Sequence, residues 1–121
     1  MKVLIAEDDK FLVSAYRLKL EKEGVEVEIA LDGEEALEKL KSFKPDVMLL
    51  DLMMPKVDGF EVLERLKKEG GIQIPIIVAS NLGQAEDVER AKKLGAVDYV
   101  VKSDIALDDL IAKVKSYAKS T

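Results

Sequence analysis

The chain has 121 residues, 48% hydrophobic and 36% charged, the balance of one soluble domain with a buried core rather than of a disordered segment. Cysteine and histidine both number 0, which excludes disulfides, thiolate zinc sites, cysteine nucleophiles and every histidine-based acid, base or phosphoryl carrier. Nineteen basic against 24 acidic residues give a net charge of −5, so the basic excess that draws proteins to nucleic acid is missing, and no apolar run reaches the roughly 18 to 20 residues of a membrane span.

Met1-Lys2 leads straight into the apolar run Val3 to Ala6 without a signal-peptide layout, so a cytoplasmic location is expected. That run reads as a first strand. Phe11 to Glu23 reads as a first helix, with Gly24 where it should stop. The alternation Val25-Glu26-Val27-Glu28-Ile29 predicts a second strand near a sheet edge, which its glutamates protect. Asp32 with Glu35 has the spacing of a capping box opening a helix over Glu34 to Phe43. Pro45 stands at the entrance of Val47 to Leu50, an unbroken apolar run suited to a parallel strand covered on both faces. Asp58 with Glu61 repeats the capping spacing before the helix Phe60 to Lys68. There Phe60, Leu63 and Leu66 mark the buried stripe, and Glu64 with Lys68 an exposed i,i+4 pair. After Gly70, Pro75 marks the entrance of the strand over Ile74 to Ala79. A helix over Ala85 to Leu94 stops at Gly95, and Val97 to Val101 is the fifth strand. Leu107, Leu110, Ile111, Val114 and Ala118 give the buried stripe of a last helix, Leu107 to Ala118. Strict strand-helix alternation with short connections predicts a five-stranded parallel sheet with helices on both faces, a single α/β domain over residues 1–121.

In such a sheet the ligand crevice lies beyond the carboxyl ends of the strands. The first strand ends in Glu7-Asp8-Asp9, the third in Asp51, the fourth in Ser80 and the fifth in Lys102. Carboxylates converging on one rim repel unless a cation shares the site. Mg²⁺ suits it, because it takes one or two carboxylates, keeps several waters and leaves room for a phosphate oxygen. Asp51 can then act as a nucleophile toward phosphorus, with Lys102 neutralising the transferring group and the Ser80 hydroxyl bonding a phosphoryl oxygen. An acid directly after Val47-Met48-Leu49-Leu50 has no structural reason to be there, since burying it unpaired costs several kcal/mol. Asp58 reads as a helix cap, and Asp9 as a cap rather than a water-mediated metal contact.

Leu4-Ile5-Ala6-Glu7-Asp8-Asp9, Leu49-Leu50-Asp51-Leu52-Met53-Met54-Pro55 with Asp58-Gly59, Val78-Ala79-Ser80, and Asp98-Tyr99-Val100-Val101-Lys102 together resemble the receiver domain of response regulators, from end to end of the chain. The resemblance implies a flavodoxin-like doubly wound (βα)5 fold with strand order 2-1-3-4-5. It implies Asp51 as phosphoacceptor, Glu7, Asp8, Asp51 and the Met53 backbone carbonyl as Mg²⁺ ligands, and Lys102 as the phosphate-binding lysine. Ser80 becomes the switch hydroxyl and Tyr99 the switch aromatic. A histidine kinase, a phosphotransfer protein or a small acyl phosphate is implied as donor, and a protein target on the face of the fourth helix, fifth strand and fifth helix. The expected state is a monomer or a weak phosphorylation-dependent dimer, either stand-alone or a piece of a longer regulator.

Two departures from the family pattern stand out. Ser103 replaces the usual proline after the lysine, so a trans Lys102–Ser103 bond is expected, a cis bond there costing about 2.5 to 4 kcal/mol. Asn81 is larger than the small residue usual after the switch hydroxyl. Met53 and Leu82, two positions beyond Asp51 and Ser80, are poorly suited to orienting an attacking water, which predicts a long-lived phosphorylated form. An aspartyl-phosphate phosphohydrolase would want an acid where Met53 stands. A flavin-binding domain would not offer Glu7-Asp8-Asp9 to a phosphate. A receiver-like or designed domain that binds Mg²⁺ without signalling remains the other alternative.

Overall fold

The computed structural model describes residues 1–119. Ser120 and Thr121, the end of the expected domain, lie outside the described residues. The elements follow in the order β1 (Lys2–Ala6), α1 (Lys10–Lys22), β2 (Glu26–Ala30), α2 (Gly33–Ser42), β3 (Val47–Leu50), α3 (Gly59–Lys68), β4 (Ile76–Ser80), α4 (Ala85–Lys93), β5 (Asp98–Val101), a 3-10 turn (Lys102–Asp104) and α5 (Leu107–Lys119). All pairings are parallel, in the order β2-β1-β3-β4-β5. This is the flavodoxin-like arrangement expected from the sequence. β2 lies at an edge, where Glu26 is exposed and Glu28 pairs with Lys39 of α2 at 3.4 Å.

Strand alternation divides the core in two. Leu4, Ala6, Met48, Leu50, Ile76 and Val78 face Ala36, Phe60, Val62, Leu63 and Ala91, on the side of α2, α3 and α4. Val3, Ile5, Val47, Leu49, Ile77 and Ala79 face Tyr16, Leu20, Leu110, Ile111 and Val114, on the side of α1 and α5. Two buried faces explain why the central strands carry no polar alternation.

The helix starts follow the side chains available to cap them. Asp9 accepts the Phe11 and Leu12 N–H groups, at 2.9 and 3.2 Å, and is the N-cap of α1. Asp32 and Asp58 accept the N–H of Glu35 and Glu61, each at 2.9 Å. Neither makes the full reciprocal box: Glu35 reaches the Leu31 N–H at 3.4 Å, and Glu61 pairs with Arg65 at 2.5 Å. Glu64 likewise turns from Lys68 to Arg90 of α4, at 3.0 Å, while the Arg90 guanidinium lies 4.1 Å from the centre of the Phe60 ring. The long-range partner wins because stacking on Phe60 already holds the guanidinium in place.

Two glycines fix the loop that follows β3. A Cβ on Gly33 would lie 2.1 Å from the Val57 carbonyl oxygen, and one on Gly59 would lie 2.4 Å from the Asp51 carbonyl oxygen. Backbone can approach that closely only where no side chain intervenes.

Candidate functional site

The register of the sheet brings the site together. Ala6 is paired with both Ala30 and Leu50, and the ladder runs one residue further, Glu7 N–H donating to Ala30 O and Asp51 N–H to Ala6 O, each at 2.9 Å. The first residues beyond β1 and β3 are therefore neighbours. They sit where the chain, having paired β2 on one side of β1, crosses over to place β3 on the other. That is the topological switch point where parallel sheets bind ligands.

Parity then sorts the side chains. Glu7 continues Val3 and Ile5, Asp51 continues Val47 and Leu49, and Lys102 continues Val100, all members of the α1/α5 side of the core. Accordingly the Lys102 ammonium meets both acids: it donates a short hydrogen bond to Glu7 Oε1 and lies 3.1 Å from Asp51 Oδ2. Ser80 and Tyr99 have the opposite parity. Ser80 is wholly buried and accepts the Leu82 N–H at 3.2 Å, while the Tyr99 hydroxyl donates a short bond to the Leu82 carbonyl.

Glu7 is 3% exposed and Asp51 6% exposed, whereas Asp8 is open to solvent. One oxygen from each of these three carboxylates lies within 4.8 Å of the others. Glu7 Oε2 accepts the Asp9 N–H at 3.1 Å, and Asp51 Oδ1 accepts the Met53 N–H at 3.2 Å. Each buried acid is thus held by one backbone amide and one lysine.

One ammonium cannot neutralise two buried carboxylates. Burial, only partly offset by the Lys102 hydrogen bond and reinforced by the Asp51 charge, pushes the Glu7 carboxyl up to about 7. Burial alone would lower Lys102, but its hydrogen bond to Glu7 and the two nearby charges outweigh that and hold it above the ordinary lysine value. The two shifts agree: the ammonium is locked on, and the excess negative charge is relieved by a proton held on Glu7. Tyr99 is raised by burial and by the Asp87 and Asp51 charges, with the Ser80 hydroxyl opposing, so its phenol stays neutral.

Of the residues picked out from the sequence, Glu7, Asp8, Asp51 and Lys102 converge, and Ser80 and Tyr99 meet at the Leu82 backbone beside them. Asp9 is given over to capping α1. The Met53 side chain is 59% exposed over the site, while its amide is bonded to Asp51. The Lys102–Ser103 bond is trans, and the 3-10 turn over Lys102–Asp104 carries the lysine into place.

Other residues of the site neighbourhood escaped the sequence reading. Tyr16 of α1 is 2% exposed, and burial pushes its phenol up to about 12, with Lys102, Glu7 and Asp51 near enough to act on it. Asp32, besides capping α2, lies 3.7 Å from the ammonium of Lys56 in the loop after Asp51. Lys56 is held at φ +65°, which a glycine or asparagine would have signalled and a lysine does not.

The donor set fits a hard divalent cation: three carboxylates on one rim, two of them buried, and no soft or imidazole ligand. Comparison with known proteins points the same way. The family model for the response regulator receiver domain matches residues 3–115. The response regulator MprA of Mycobacterium avium is 35% identical over 121 residues, which are all of this chain and 52% of that protein. The alkaline phosphatase synthesis transcriptional regulatory protein PhoP of Bacillus subtilis is 38% identical over 101 residues, 84% of this chain and 42% of that protein. The chain thus spans about half the length of the curated relatives it matches. Among solved structures, the receiver domain of the Francisella response regulator 1452 is 36% identical with a TM-score of 0.89, over 98% of this chain and 97% of that one.

Proposed function

Since the chain belongs to the response-regulator receiver family, we propose that its 121 residues form one phosphoacceptor unit in which Asp51 takes a phosphoryl group and passes the signal on through protein contacts. The observation that carries this reading is the single Lys102 ammonium set against both Glu7 and Asp51 at the switch point of the sheet.

An Asp51 carboxylate oxygen forms a bond to phosphorus as the bond from phosphorus to the donor, a phosphohistidine or an acyl phosphate, breaks and its electron pair leaves with the donor. Lys102, already 3.1 Å from Asp51 Oδ2, offers its charge to the phosphoryl oxygens. Glu7, Asp8, Asp51 and the Met53 backbone carbonyl would hold Mg²⁺, which offsets charge on the transferring group. The Ser80 hydroxyl, now accepting from Leu82, turns to donate to a phosphoryl oxygen. That exchange disturbs the Leu82 segment on which the Tyr99 hydroxyl rests and so links Asp51 to the face of α4, β5 and α5. A dianionic group supplies the differential contacts that a two-state shift requires.

The partners proposed are a histidine kinase or phosphotransfer protein as donor and a protein target on that face, in the cytoplasm, with the domain a monomer or a weak dimer on phosphorylation. Transfer is catalysed by the domain itself, and the phosphoryl group is later lost to water by the same site. This is a switch rather than a turnover enzyme. The phosphohydrolase alternative is disfavoured by Met53, an exposed apolar side chain where a leaving-group acid would stand.

The test is intact-mass spectrometry after incubation with acetyl phosphate, with and without Mg²⁺, beside Asp51→Asn. One added phosphoryl mass that needs both Mg²⁺ and Asp51 is expected. A phosphoryl group that persists in Asp51→Asn overturns the assignment.

A further inference from the structure

At the end of the sheet opposite Asp51, where β3 and β4 begin, a cavity of about 340 Å³ opens between the last turns of α2 and α3. That is the size range of small-molecule sites, roughly 300 to 1,000 Å³. Its wall is aliphatic, built from Leu37 and Leu40 of α2, Leu66 of α3, and Ile72 and Ile74 before β4, with buried Ile76 beneath. The first five are only half-buried, so apolar surface of the kind a filled core would cover faces the opening instead.

The mouth is cationic. Lys41 lies 4.0 Å from Glu69, and Lys44 makes no ion pair among the described residues. Lys44 also sits at φ +52°, a conformation that disfavours any residue but glycine, asparagine or aspartate. Across Ile72–Ile74 an adjoining recess carries Lys67 and Lys93 and no carboxylate. In a chain of net charge −5 this end gathers lysines, while the Asp51 end gathers acids.

A hydrocarbon wall beneath an unpaired cation matches a hydrocarbon chain that ends in an anion. We propose that this cavity binds a medium-chain alkyl carboxylate, the chain lying against the leucines and isoleucines and the carboxylate meeting Lys44. Apolar burial supplies most of the affinity, and the ammonium sets the orientation and the preference for an anion. The site shares no residue with the phosphoacceptor rim, so it stands apart from the function proposed above.

The test is titration of the whole chain with decanoate below its micelle concentration, followed by calorimetry and by amide chemical shifts. Saturable one-site binding is expected, with shifts confined to the ends of α2 and α3 and the entrance of β4. Lys44→Glu, a change at an exposed position, should weaken decanoate about fivefold, as for a surface charge contact turned repulsive, and leave the neutral 1-decanol within about twofold. Leu66→Trp, which fills the cavity, should abolish both. If that variant does not fold, Leu37→Phe replaces it with the same expectation. Non-saturable binding, shifts elsewhere in the domain, or decanoate binding indifferent to Lys44→Glu overturns the proposal.

Discussion

Lys102 reaches beyond the end of β5 to set its ammonium 3.1 Å from Asp51 Oδ2 while it also bonds Glu7. Removing it leaves two buried carboxylates without a counter-charge. In chelator, Lys102→Met is expected to lose about 3 kcal/mol of stability, much of it regained with saturating Mg²⁺. Phosphorylation of Asp51 by acetyl phosphate should slow by at least about 100-fold even with the metal present. Urea unfolding with and without Mg²⁺, together with the rate of mass gain, checks both.

Glu7 titrates near 4.5 in an unfolded chain and at about 7 in the folded one. Between those values the folded form holds a proton that the unfolded chain has released. Stability therefore falls as pH rises from about 4.5 to about 7, then levels off. In chelator, the melting temperature should fall across that window, and Glu7→Gln should flatten the fall. A wild-type-minus-variant difference that grows with pH would mean that Glu7 is ionised throughout.

Gly59 leaves no room for a side chain, because its Cβ would lie 2.4 Å from the Asp51 carbonyl oxygen and 2.7 Å from Leu52 Cα. Gly59→Ala is expected to cost about 2 kcal/mol and to slow phosphorylation by moving the backbone that bears Asp51. Gly83→Ala, whose Cβ would meet only the Val101 side chain at 3.4 Å, serves as the tolerant control. Denaturant midpoints of the two variants compare them directly.

Both positions two residues beyond Asp51 and Ser80 are apolar: Met53 is 59% exposed, and Leu82 is half-buried against the core. With an apolar residue at each of these two positions, the phosphoryl group on Asp51 should persist for minutes or longer. Met53→Glu should shorten its life by roughly 10-fold or more, because a carboxylate can align the attacking water and accept its proton. Mass spectrometry after removal of acetyl phosphate follows the decay, and loss within seconds from the wild type would contradict the expectation.

Asp51 was legible because four apolar residues precede it and burial penalises an unpaired acid. Lys102 was legible because it ends a strand that must lie in the same sheet. What the residues alone did not disclose were relationships set by register and parity. The strand order came with the family resemblance, and only the pairing of Ala6 with Leu50 makes Glu7 and Asp51 neighbours. The 3-10 turn at Lys102–Asp104 has no glycine or proline to announce it. Tyr16, the Asp32–Lys56 contact and the turn of Glu64 toward Arg90 all join segments distant in the chain, where local spacing carries no signal. For Glu64 the local pattern pointed to the wrong partner, Lys68.

The loop between Asp51 and Asp58 is held on both sides by backbone, at Gly33 and at Gly59, and not by the side chain of Met53, which is 59% exposed. Its shape and its chemistry are therefore separable. Substitutions at that exposed position can retune reactivity or partner choice while leaving the scaffold in place, whereas the two glycines are closed to variation. Divergence among such domains has an inexpensive route here, through a position that the fold itself does not read.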